Sequence, residues 1–133
     1  MFRRLSTARQ LPERPMTNGY RDLKVWQKSM NLVVMVYRST TDFPKHETFG
    51  ITSQIRRAAV SVVTNIAEGH GRTTAGEFRN SLSIARGSLK ELETLCEIGY
   101  SLGYLTREHS DALLDLCTEI SKMLTSLKRS IRR

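Results

Sequence analysis

A catalytic or metal centre in this chain would have to be built from 3 histidines, 13 carboxylates and 2 cysteines. A di-iron centre in a helical protein needs Glu-x-x-His pairs, because residues three apart project from one helix face. No glutamate here has a histidine three residues on, and His109 directly follows Glu108, so those two side chains diverge around a helix. His46 and His70 fall in turn-like segments. There is no HExxH for zinc, no GxxxxGK to cradle nucleotide phosphates and no serine in a nucleophile elbow. Cys96 and Cys117 lack CxxC spacing and read as reduced thiols in or beside a core. The expectation is a protein without catalytic residues, metal or cofactor, and not an enzyme.

The chemistry that does abound is cationic. Lys and Arg number 21 against 13 Asp and Glu, a formal charge of +8, with an isoelectric point near 10.0. Such a chain is drawn to polyanions: nucleic acid, anionic membrane or acidic protein surfaces. Arg79, Arg86 and Lys90 lie within about 40° of one another in helical projection, and Arg72 just upstream extends the stripe. Further along, the sign reverses at Glu91, Glu93 and Glu97. The chain closes on "KRSIRR", with no acid after Glu119. Arg57, Arg72, Arg79, Arg86, Lys90, Lys128 and Arg129 are therefore the candidate phosphate contacts. Cations at a helix C-terminus also complement the helix dipole, which is the competing account of the last cluster. "EGHGRTT" resembles an anion-holding turn, but the plainer reading is a helix stop followed by a helix start. Aromatic content is 7%, so base stacking and sequence readout should be weak.

The elements that must position these residues read as helices. The length of 133 residues, 39% hydrophobic and 26% charged, suits one soluble domain. Leu23, Trp26, Met30, Val33 and Tyr37 recur at helical steps behind Asp22 as N-cap. Pro44 ends that helix. Ile51, Ile55, Ala58, Ala59, Val62 and Ile66 form the seam of a second, with Gly69 as left-handed terminator. "TAGE" at Thr74–Glu77 is a capping box for a third, whose seam is Phe78, Leu82, Ala85, Leu89, Leu92, Cys96 and Leu102. A fourth begins near Thr106 and carries Leu113, Leu116, Ile120, Met123, Leu127 and Ile131. Short turns predict an antiparallel up-down-up-down four-helix bundle over residues 20–133. Residues 1–19 read as a disordered basic tail; their Arg-rich start mimics a mitochondrial presequence. The longest apolar run, "LVVMVY", is too short to span a bilayer, and no membrane association is expected.

Two helices are apolar over too wide an arc for a single core. In "TSQIRRAAVSVVTNIAEGHGR", Val60, Val63 and Ala67 form a second stripe at roughly 80–140° from Ile55, with Arg56 inside it and Arg57 nearly opposite the core. Ile84, Leu95 and Ile98 do the same on the third helix. An aligned second stripe predicts a homo-oligomer with Arg56 at or beside the contact, paired with a carboxylate. The alternative is Arg56 snorkelling to the rim of a monomer.

The segments "YRDLKVWQKSMNL", "TSQIRRAAVSVVTNIAEGHGR", "EFRNSLSIARGSLKELET" and "LGYL" closely resemble the four-helix protein family associated with intervening sequences in bacterial 23S rRNA genes. The match runs from about Tyr20 to the end of the fourth helix. Val63 departs from it, standing where many members are expected to carry proline. His70 stands at a position that varies. The resemblance implies a ring-like homo-oligomer, a pentamer, in a bacterial, cytoplasmic protein, which removes the mitochondrial reading of the tail. It also implies architectural similarity to the accessory protein of diversity-generating retroelements, a basic ring that binds a reverse transcriptase and nucleic acid.

These readings converge on an oligomeric nucleic-acid-binding protein, with structured RNA favoured and phosphates as the contact. Five copies at +8 would carry about +40, enough for salt-sensitive, sequence-independent binding. The rival is an oligomeric scaffold that docks a protein such as a reverse transcriptase.

Overall fold

The computed structural model describes residues Gly19–Ile131; the expected N-terminal tail, save Gly19, and the last two arginines lie outside the described residues. Within it are four α-helices and two 3₁₀ turns, Gly19–Asp22 and Lys45–Glu47. The helices are α1 (Lys24–Ser39), α2 (Ile51–His70), α3 (Ala75–Ser101) and α4 (Arg107–Ser130). No strand occurs among the described residues. Each helix packs on two others in the cycle α1–α2–α3–α4–α1 around a single core.

The caps follow sequence logic at α3 and α4. Thr74 Oγ1 accepts from the Glu77 amide at 3.1 Å, and Thr106 Oγ1 accepts from the His109 amide at 3.0 Å. Each satisfies one of the amides a helix start leaves unpaired. At α1 the expected cap is displaced: Asp22 belongs to the 3₁₀ turn, and Leu23 occupies the N-cap without a side-chain bond.

Gly69 differs from expectation in a way that shapes the packing. It is helical, and α2 continues to His70 with Gly71 as C-cap at φ −84°. A Cβ at Gly69 would fall 2.5 Å from Ser81 Cβ and 3.1 Å from a Phe78 ring carbon. The glycine is there for close approach of α2 to α3, not to reverse the chain. The left-handed turn comes at Gly103, φ +80°, between α3 and α4.

The predicted seams of α2 and of the middle of α3 are buried, but α1 is rotated by about one residue from its expected face. Its buried positions are Val25, Trp26, Ser29, Leu32 and Val36, while Tyr37 is exposed. Ser29 in a core position hides this stripe from an apolar template. Leu102, placed in the α3 seam, is also exposed.

Candidate nucleic-acid interface

Hydrogen bonds tie the start of α3 to the end of α4. Lys128 Nζ donates to Ser83 Oγ at 2.6 Å, and Ser83 Oγ donates to the Arg79 carbonyl at 3.1 Å. Arg79 Nη1 in turn donates to the Ile131 carbonyl at 3.4 Å. Because these ends adjoin, the basic first half of α3 lies beside the basic second half of α4. The acidic halves adjoin likewise, with Glu97 and Asp111 lining one groove together with Arg107. The α3–α4 surface is thus unevenly charged: cations predominate at one end, where Glu77 is the acid of the first turn of α3, and carboxylates at the other, beside Arg107.

Four of the seven expected phosphate contacts gather at the basic end: Arg79, Arg86, Lys128 and Arg129. Arg86 and Arg129 share a groove of about 310 Å³ with Ser121, Lys122, Thr125 and Ser126. Lys122 went unnoticed in the sequence, although it stands seven residues before Arg129 and therefore on the same helix face. The other three expected contacts are set apart. Lys90 Nζ pairs with Glu93 at 3.3 Å. Arg57 lines a separate depression with Gln54, Ala58, Ser61 and Glu91. Arg72 is exposed in the turn that leads to α3.

The expected second apolar stripe is thinner than its sequence suggests. Val63 and Leu95 are each only 6% exposed within a single chain. α2 touches α1, α3 and both 3₁₀ turns, so a wide apolar arc is covered without any partner. Ala67 is half-buried against the core, and Val60 is half-buried. Ile84 and Ile98 do remain open, at 49% and 43%. Arg56 finds its partners at home: its Nε donates to Thr40 Oγ1 at 2.8 Å, and its guanidinium lies 4.5 Å from the Tyr37 ring centre. A hydroxyl and an aromatic face thus stand where a carboxylate was expected.

Net charge locates the field further. Residues 19–131 hold 15 Lys and Arg against 12 Asp and Glu, a charge of +3. The remaining +5 comes from Arg3, Arg4, Arg9, Arg14, Arg132 and Arg133 against Glu13, outside the described residues. The helical body is nearly balanced overall, so any field it presents arises from segregation.

No group of His, Cys, Asp and Glu among the described residues could hold a metal ion. Cys96 and Cys117 are both buried and reduced. Burial pushes the Cys96 thiol up to about 12, helped by the negative charges of Glu97 and Glu93. Burial raises Cys117 as well. Thiols held protonated in this way are poor nucleophiles. Among the described residues, no helix is long and apolar enough to cross a membrane.

Among the described residues the fold is all-helical, with four α-helices. Residues 21–126 match the family model of the 23S rRNA-intervening sequence protein, and the chain belongs to that family. It is similar to a solved structure of a protein with unknown function from the S23 ribosomal protein family of Bacteroides thetaiotaomicron. The two are 28% identical with a TM-score of 0.75, over 80% of this chain and 96% of that one. No curated protein matches.

Proposed function

We propose that this is a non-enzymatic, oligomeric nucleic-acid-binding protein that holds structured RNA by its phosphates. The observation that carries the reading is the segregation of charge along α3 and α4. Arg86, Lys122 and Arg129 have no ion-pair partner among the described residues, and they lie together at the end away from Glu97 and Asp111. Binding through phosphates releases counterions, so affinity for a hairpin RNA should fall steeply between about 50 and about 200 mM salt. Binding of micromolar strength or weaker at the lower salt, with no slope, would sink the reading.

The proposed unit is an antiparallel bundle that assembles into a ring of five. Two pairings between α2 and α3 support the antiparallel order, Ser61 with Ser88 and Gly69 with Ser81, and the bonds from the start of α3 to the end of α4 agree. In the two pairings, the partner number falls as the α2 number rises. The open Ile84 and Ile98 are the candidate contacts between copies. Multi-angle light scattering tests the ring; a stable single copy at physiological concentration rules it out.

A second reading, a scaffold for a protein partner, is favoured by Phe49. This side chain is 95% exposed on the α1–α2 connection. That connection is held in place by Glu47, which accepts from Tyr104 at 3.0 Å. Co-purification from the native host separates the readings: RNA alone favours the first, a stoichiometric protein such as a reverse transcriptase the second.

A further inference from the structure

We infer that the groove between α3 and α4 lined by Arg86, Lys122 and Arg129 is the seat for consecutive phosphodiester groups, with Lys122 as a direct phosphate contact. The inference rests on the nucleic-acid reading above and goes beyond it in naming the place, the contact chemistry and the strand's path.

The groove's lining is suited to that ligand and poorly suited to others. Its polar groups are three cations and the hydroxyls of Ser121, Thr125 and Ser126, with no carboxylate. Thr125 Oγ1 donates inward to the Ser121 carbonyl at 3.1 Å. The hydroxyls of Ser121 and Ser126 have no hydrogen-bond partner among the described residues and are open to donate to a phosphate oxygen. Two other polar depressions each contain a carboxylate that would repel an anion: Glu91 beside Arg57, and Glu97 with Asp111 beside Arg107.

Spacing decides between one phosphate and several. Lys122 and Arg129 are two helical turns apart on α4, roughly 10 Å along the axis. One phosphate would have to draw both long side chains inward along the helix, whereas linked phosphates along a strand can meet each cation where it stands. Arg86 approaches the same groove from α3 and supplies a planar fork for non-bridging oxygens. Beyond the groove the surface turns acidic at Glu93, Glu97, Asp111 and Asp115. A strand therefore follows α4 past Lys122 and Arg129 within the basic end and leaves the seam before Glu97 and Asp111.

The test uses the full chain, a hairpin RNA as probe and fluorescence anisotropy over a salt series. Lys122→Glu should weaken binding by about tenfold or more and lower the salt slope by about one to two. Lys45→Glu makes the same charge change on the exposed Lys45–Glu47 turn and should weaken binding by about threefold or less. Arg129→Gln, which removes charge without reversing it, should fall with Lys122→Glu. Equal effects at Lys122 and Lys45, or none at Lys122, would overturn the groove while leaving RNA binding intact. Displacement of the RNA by inorganic phosphate at matched ionic strength would overturn the requirement for linked phosphates. Absence of RNA binding by the native chain would overturn the underlying reading and the groove with it.

Discussion

Arg56 and Thr40 join α2 to the end of α1 through a 2.8 Å hydrogen bond, in which the Thr40 hydroxyl serves twice. It accepts from Arg56 Nε and donates to the Val36 carbonyl at 2.8 Å. The guanidinium meanwhile lies over Tyr37. This answers why a helix with so much apolar surface carries an arginine inside its second stripe. The charge stays half-exposed, and its planar head bonds Thr40 just past the end of α1 and covers the Tyr37 ring.

Removing that clamp should cost stability. Arg56→Ala is expected to lose about 1–2 kcal/mol, the sum of a hydrogen bond from a charged donor and a partly exposed cation–π contact. Arg56→Lys should recover only part of this, because an ammonium has no planar face to lay on Tyr37. Urea unfolding measures both, and a neutral Arg56→Ala would show that the clamp is decorative.

Two glycines on helices should respond to alanine with opposite signs. At Gly69 the new methyl would meet Ser81 Cβ at 2.5 Å, so α2 and α3 must separate. Overpacking of this kind outweighs the helix-propensity gain, and a net loss of ~2 kcal/mol is expected. At Gly87 on α3 a Cβ meets nothing within 4 Å. Gly87→Ala should therefore stabilise by about 0.5–1 kcal/mol. Thermal melts of the two variants would differ in direction from wild type, and a shared direction would contradict the packing account.

The apolar side chains on α3 should separate assembly from folding. Ile84→Asp and Ile98→Asp place charge on half-open positions, so each chain should stay folded with a loss of about 1–2 kcal/mol. If the ring contact is there, light scattering of these variants should report smaller species than wild type. Leu95→Asp buries a carboxylate and should unfold the chain outright. Unchanged assembly in both isoleucine variants would move the contact elsewhere.

The buried thiols impose an alkaline limit. In the unfolded chain a cysteine ionises at the ordinary value, about 8.5. The folded Cys96 stays protonated up to about 12. The stabilisation is thus complete below the ordinary thiol range and is lost as pH rises through it toward the folded value, because there the unfolded state binds fewer protons. Unfolding free energy should fall more steeply between about pH 8 and about pH 10 for wild type than for a Cys96→Ala, Cys117→Ala chain. Native protein should also resist alkylation that the unfolded chain accepts readily. Identical pH slopes, or rapid native alkylation, would contradict the burial.

Much of this molecule was legible in the order of its residues. Helical spacing, Thr74 and Thr106 as caps, the α2 seam and the segments shared with the 23S rRNA-intervening sequence family all rest on local rules that a sequence displays. The face of α1 was misread because Ser29 is buried, and burial of a small polar residue leaves no apolar signal. Gly69 looked like a terminator because sequence cannot distinguish a glycine that turns the chain from one that admits a neighbouring helix. Val63, Leu95 and Arg56 looked like surfaces awaiting a partner, since a helical projection does not reveal how many neighbours surround a helix. Composition and periodicity alone determined four amphipathic helices with an excess of cations. Tertiary structure decided which of those cations meet: packing the start of α3 against the end of α4 brings Arg86 to Lys122 and Arg129, across more than thirty residues of chain. That proximity is a property of the fold, because charges distant in sequence share a field only when the backbone carries them to the same place.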